Sequence, residues 1–210
     1  MSDQDAQLLA HVLHDLKNPL SVILCYAEIV PDAKDAERRE YCERMRSNAR
    51  VLLELLDGFA LLSDLRAGHP QASRQRCDWI KVVMTVTADL APIAMLRDQR
   101  LACETVGAGD MLLDRNALML AVRHLGLEAM RVAPVGSTLR IRALRDSDGA
   151  SVRIEFAPPA GTGDLDIARL FDLNRPGIEL VQRVAALHGG SVTFAIEHGA
   201  AIAGMQFTLT

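Results

Sequence analysis

At 210 residues the chain is long enough for one large domain or two small ones, each with a core of its own. Half of it is apolar but only 4% is aromatic, so that core has to be built from Leu, Val, Ile, Ala and Met. A formal net charge of −4, with Arg interspersed among Asp and Glu, leaves no basic footprint and argues against a nucleic-acid partner.

Four cysteines, Cys25, Cys42, Cys77 and Cys103, are widely spaced with no CxxC pair, which reads as reduced thiols and no metal site. No stretch approaches the ~20 consecutive apolar residues of a membrane span. Met1 to Leu8 is polar and lacks the apolar region of a signal peptide. The expectation is a cytoplasmic protein with no membrane partner.

The first element is a helix. Leu9, Leu13, Leu16, Leu20, Ile23, Ala27 and Val30 recur at alternating spacings of four and three, the heptad seam of a helix that packs as in a coiled coil. Pro31-Asp32 breaks it and begins a short polar connection. Met45, Ala49, Leu52, Leu56, Phe59 and Leu62 then mark a second helix, closed by Arg66-Ala67-Gly68-His69-Pro70 with Gly just past its end. Two such helices, each of roughly 25 to 30 residues, form an antiparallel hairpin. Leu8, Leu9, Val12, Leu13 and Leu16 on one helix, and Leu53, Leu55 and Leu56 on the other, give apolar stripes too broad for a lone hairpin to cover. Pairing with a second copy would make a dimeric four-helix bundle; packing on the C-terminal half of the same chain is the alternative.

Composition changes after Pro70, and Gln71 to Cys77 reads as a polar linker. Beyond it the patterns predict a helix over Asp78–Arg97, a strand over Arg100–Val106 and a helix over Asp114–Val132. Two alternating strands follow, Thr138–Leu144 and Ser151–Phe156, joined by the turn Asp146-Ser147-Asp148-Gly149. A helix over Ile178–Leu187 precedes Gly189-Gly190 and two last strands, Ser191–Glu197 and Met205–Leu209. That order indicates an α+β sandwich with helices on one face of a mixed sheet. The chain therefore divides into a hairpin over 1–70 and a sandwich over 77–210.

Chemistry concentrates on the first helix. A phosphoryl acceptor needs a neutral, nucleophilic imidazole that reaches solvent, and His14 sits one residue past the seam position Leu13. Asp15 is its chain neighbour; helix neighbours do not face one another, so contact requires favourable rotamers or a partner. A carboxylate accepting from one ring nitrogen leaves the other free to attack phosphorus. Asn18, four residues on, shares the face of His14 and is placed to bond a phosphoryl oxygen or a water. Lys17 is placed to screen an incoming anion. Pro19 removes the hydrogen bond to the Asp15 carbonyl, at a cost of roughly 3 kcal/mol, and predicts a kink beside the site. His11 and His69 lack this context and read as inert surface residues.

The run His14-Asp15-Leu16-Lys17-Asn18-Pro19-Leu20 resembles the H-box of sensor histidine kinases, commonly H-[ED]-L-[RK]-[NT]-P-L. With Asn48 and the Leu-rich second helix it is similar to their dimerisation and phosphotransfer domain, and the remainder follows the order of their ATP-binding domain. The resemblance implies the fold in full: an antiparallel hairpin in a dimeric four-helix bundle, then an ATPase-like α/β sandwich. It also implies three nucleotide motifs, and all three are altered. Where a helix should carry a Mg²⁺-coordinating asparagine, this chain has Glu128. Where an Asp should follow a strand to bond adenine, Phe156 leads into Ala157-Pro158-Pro159-Ala160-Gly161-Thr162-Gly163. The glycine loop that cradles phosphate is reduced to Arg175-Pro176-Gly177-Ile178, with Arg175 at an expected glycine and Pro176 lacking an N–H. Leu187-His188-Gly189-Gly190 matches the family as a helix end and tight turn. Glu128, Gly161, Gly163 and Gly177 outline a remnant pocket.

These departures make a histidine phosphotransferase, similar to the ChpT-like proteins, the leading expectation. His14 would relay a phosphoryl group between response-regulator receiver domains with Asp15 and Asn18 as helpers. No cofactor would be held tightly, Mg²⁺ would come with the receiver, and ATP would not be used. A homodimer, receiver domains and a hybrid histidine kinase are the expected partners. The alternatives are an ATP-dependent kinase using Glu128 as an altered Mg²⁺ ligand, and a non-catalytic pseudokinase scaffold.

Overall fold

In the computed structural model, which describes residues 3–68, 73–159, 170–197 and 199–208, the predicted hairpin is a pair of long helices. Helix α1 spans Asp3–Ile29, a 3-10 turn Val30–Asp32 follows, and α2 spans Asp35–Arg66. Proline at the start of the 3-10 turn ends α1, because it cannot donate to the helix ladder. Glu37 reaches back to the Lys34 backbone N–H at 3.1 Å, half of a capping box that starts α2. Gly68, in the left-handed region at φ 73°, stands just past its end. Across the turn Tyr26 and Tyr41 pack at 5.2 Å, and the Arg44 guanidinium lies 5.7 Å over the Tyr26 ring.

The single apolar seam predicted for α1 resolves into two. Val12, Leu16, Pro19, Ile23, Tyr26 and Val30, at heptad spacing, are half-buried or buried. Leu9, Leu13, Leu20 and Leu24 lie on the other stripe and are 44–55% exposed. The helix runs unbroken through Pro19, which sits at the centre of the covered stripe.

The chain divides into two compact units, Met1–Ala60 and Leu61–Thr210. This division of compact units falls inside α2, where Leu62 is fully packed and Arg66 pairs with Glu179 within the second unit. The expected linker is also partly structured. Gln75–Asp78 forms β1, which pairs antiparallel with β3, Asp110–Leu113. Neither short strand was legible, since only Cys77 in β1 and Met111 and Leu113 in β3 turn inward.

The remaining elements lie where the patterns put them, except that the last strand starts at Ala200, five residues before the expected Met205. They are α3 (Trp79–Leu96), β2 (Arg100–Val106), α4 (Arg115–Val132), β4 (Thr138–Arg145), β5 (Gly149–Phe156), α5 (Pro176–Leu187), β6 (Gly190–Glu197) and β7 (Ala200–Thr208). A five-stranded sheet has the order β2-β4-β5-β7-β6, with β2 and β4 parallel and every other pair antiparallel. Strand β4 alternates buried and exposed residues and β5 buried and half-buried ones, so one face carries the helices and the other is the more open. Trp79, Leu90, Leu118, Leu125, Leu139, Ile154, Ile178 and Met205 fill the space between. Opposite charges tile the open face: Glu104 with Arg142 at 3.0 Å, and Arg153 with Glu197 at 2.8 Å.

Local chemistry sets the element ends. Asp78 and Asp114 cap α3 and α4 by accepting from Lys81 and Ala117 N–H groups. Asp146 Oδ1 accepts from the N–H groups of Asp148 and Gly149 to shape the predicted β4–β5 turn. After α5, Gly190 is obligatory: a Cβ there would fall 2.0 Å from the Gln206 carbonyl oxygen of β7. His188 is buried with both ring nitrogens used, Nδ1 donating to Val184 O at 2.8 Å and Nε2 accepting from Asp114 N–H at 3.0 Å. Burial pushes its pKa below the ordinary 6.5. Helix α3 has the length and apolar composition of a membrane span, but Trp79, Val82, Val83, Val86, Leu90 and Ala94 are buried in the core of the second unit.

Candidate functional site

His14 stands on the exposed side of α1, turned away from the covered stripe. Its side chain is 68% exposed, whereas that of Asp15 is 13% exposed. The Nδ1 atom lies 3.3 Å from Asp15 Oδ1, so the rotamers required for neighbouring residues to meet are the ones adopted. A carboxylate only accepts, so this contact places the ring hydrogen on Nδ1 and leaves the Nε2 lone pair directed outward. Asn18, one turn further on, and Lys17 are both exposed. The structure thus gathers His14, Asp15, Lys17 and Asn18 on one accessible segment of α1. Asn48, by contrast, is spent on its own helix, donating to the Arg44 carbonyl at 2.8 Å.

The remnant pocket in the second unit is built where α4 meets the start of α5. Gly161 and Gly163 lie outside the described residues. Gly177 lets the two helices approach closely: a Cβ there would sit 3.0 Å from His124 Nδ1 and 3.2 Å from Glu128 Oε1. Its role here is packing of α5 on α4. Glu128 is buried, with its side chain only 7% exposed, and both carboxylate oxygens are taken by guanidinium groups. Arg175 Nε donates to Oε1 at 2.9 Å and Arg131 Nε to Oε2 at 2.8 Å. Arg175 is itself nearly buried, and Arg131 donates onward to the Phe171 carbonyl at 3.0 Å. The Phe171 ring is fully buried against Phe194 at 4.8 Å and Phe156 at 6.2 Å. Burial and the neighbouring Arg131 push Arg97 below its ordinary pKa, with Glu128 acting in the opposite sense.

Sequence reading identified Glu128 and Arg175 as separate departures, and did not see that they bind one another. Their separation of 47 positions hides the pairing. The signal that could have found it is complementary charge at two positions that should face one ligand. Among the described residues, no three His, Cys, Asp or Glu side chains gather as a metal site would require.

Residues 4–68 match the His Kinase A (phospho-acceptor) domain family. The helical hairpin is thus similar to the phospho-acceptor domain of histidine kinases. Histidine protein kinase 1 of Candida albicans is 32% identical over 68 residues, covering 32% of this chain and 3% of that protein. The phosphate regulon sensor protein PhoR of Pseudomonas aeruginosa is 24% identical over 150 residues, covering 70% of this chain and 34% of that protein. The chain therefore spans 34% or less of the length of these curated relatives. Among solved structures, the histidine kinase AdeS of Acinetobacter baumannii shares the fold with a TM-score of 0.62 at 15% identity, over 94% of this chain and 98% of that one. The hairpin and the sandwich that follows it are thus the two parts of a histidine-kinase fold.

Proposed function

We propose that this histidine-kinase-like chain is a phosphotransferase that relays a phosphoryl group between receiver domains through His14, without using ATP. The observation that carries the choice of donor is the buried bridge from Arg175 to Glu128. The two positions that should serve a nucleotide and its magnesium bind each other instead. A triphosphate seated there would have to break that bridge and then face the released carboxylate. Pro158 in the strand-end loop and Pro176 at the first position of α5 add to the misfit, the second by removing a phosphate-binding N–H. The residues present do not fit ATP.

The step itself is a simple exchange. The receiver presents an aspartyl phosphate, and the His14 Nε2 lone pair attacks phosphorus as the bond to the carboxylate oxygen breaks. The receiver's carboxylate leaves, and Nδ1 keeps its hydrogen, held by Asp15. Transfer is loose in character, so alignment and charge neutralisation by Lys17 and the receiver's Mg²⁺ dominate over covalent assistance. Asn18 is placed to bond a phosphoryl oxygen. Transfer onward to a second receiver reverses the same step.

On this reading the molecule works as a homodimer in the cytoplasm. Leu9, Leu13, Leu20 and Leu24 on α1, with Leu53 and Leu56 on α2, are 44–62% exposed, the surface a four-helix bundle would cover. The test is to incubate the protein with a receiver carrying labelled phosphate and, separately, with labelled ATP and Mg²⁺. Label taken from the receiver and lost in His14→Ala is the expected result. Label taken from ATP alone overturns it in favour of a kinase.

A further inference from the structure

The last residue of α2 and the chain beyond it are tied to α5, one at each end of that helix. At the first turn, Arg66 grips Glu179 with two parallel hydrogen bonds, Nε to Oε1 at 2.9 Å and Nη2 to Oε2. Glu179 also accepts from Arg183 at 2.7 Å, and these arginines hold its carboxyl below the usual range, Arg66 most strongly. At the last turn, Arg74 Nη2 donates to the Leu187 carbonyl at 3.0 Å. One residue earlier, the Ser73 N–H donates to Asp114 at 2.9 Å, on the cap of α4. Within α2 itself Leu62 is 2% exposed. Residues 61–66 thus behave as part of the second unit, and the boundary falls two residues after Gly58. Glycine inside a helix weakens it, and Gly58 stands in the interior of α2.

We propose that Arg66 and Arg74 are a clamp that fuses the end of α2 to the second unit, so that the chain's joint lies within α2 near Gly58 and not in the connector after it. A polar stretch between two domains ordinarily acts as the flexible tether. Here the stretch is gripped on either side of residues 69–72, once by a forked ion pair and once by a helix-end carbonyl. The forked geometry matters because an arginine held at two atoms loses its freedom to swing, which a single contact would leave.

Amide hydrogen exchange on the full chain tests this, read by mass spectrometry for wild type, Arg66→Gln and Glu179→Gln. In wild type, amides of 61–66 should exchange as slowly as those of α5 and more slowly than those of 54–60. Each substitution should speed exchange of 61–66 about fivefold while leaving the core amides of α3 and α4 unchanged. Should Arg66→Gln loosen the whole unit, the isosteric Glu179→Gln decides the matter. Equal exchange of 54–60 and 61–66 in wild type, or no response to Glu179→Gln, overturns the clamp.

Discussion

Replacing Glu128 with Ala should destabilise the second unit severely, for a reason specific to the remnant pocket. The substitution strands Arg175, whose side chain is 12% exposed, with its counter-charge removed. Arg131 is 34% exposed and keeps its bond to Phe171, so it can turn partly to solvent, whereas Arg175 is the more deeply buried of the two. Removing one partner of a buried pair costs about 3 to 5 kcal/mol, most of it the penalty of leaving the other charge buried. Taking about 3 kcal/mol, Tm should fall by roughly 6 to 12 °C in a unit of this size. The pair itself need not be stabilising, so Glu128→Leu with Arg175→Met should return to within about 1 kcal/mol of wild type. Urea and thermal denaturation of Glu128→Leu, Arg175→Met and the double variant close the cycle, with Glu128→Ala read beside them. A cost below about 1 kcal/mol for Glu128→Ala, or a double variant as unstable as the sum of the singles, would refute the bridge as a buried, coupled pair.

Three further outcomes follow from particular contacts. His188 is neutral in the fold and depressed below 6.5, so its contribution to stability is present above pH 6.5 and is lost as pH falls through its folded value. Denaturation midpoints between pH 7.5 and pH 5 should show that loss, and His188→Gln should flatten this part of the slope. Gly190→Ala drives a methyl into the Gln206 carbonyl and should cost about 3 kcal/mol, measured by urea unfolding. Leu20→Glu with Leu24→Glu charges the exposed stripe of α1, so sedimentation at micromolar concentration should turn a dimer into a monomer with helical content retained; a wild-type monomer sinks the bundle reading.

The long elements were readable because their periodicity is enforced over many residues. The strand Arg100–Val106 and the helix ending at Val132 lie where alternation and helical spacing placed them, and Asp114 caps as its position before an apolar run suggests. The two-stranded sheet of β1 and β3 was not legible, since four residues with one or two inward side chains carry almost no period. The seam of α1 was read as one because heptad spacing recurs on two adjacent stripes; only packing decides which stripe the hairpin covers. His14 and Asp15 were legible from the motif, but their contact depended on rotamers that spacing does not encode. The division within α2 was hidden because Leu62 and Arg66 continue a helical pattern, while Leu62 is buried and Arg66 pairs with Glu179, 113 positions away.

The weight of the remnant pocket comes from how its altered residues relate, beyond the fact that they are altered. A single acid at an expected asparagine is compatible with metal binding, since carboxylates hold Mg²⁺ readily. A single arginine at an expected glycine is compatible with a phosphate site, since guanidinium matches phosphate geometry. Each substitution alone would therefore leave a nucleotide tolerable. Together they form a bridge whose carboxylate is also held by Arg131, so both oxygens of the acid already face guanidinium groups and Arg175 is already committed to Glu128. What each residue could offer a nucleotide is used up by the other. His14, exposed and aligned by Asp15, keeps the acceptor chemistry intact. These relations are what the proposed reading rests on: an acceptor retained while the donor's pocket is closed by its own charges fits a phosphoryl group drawn from another protein, such as an aspartyl phosphate on a receiver.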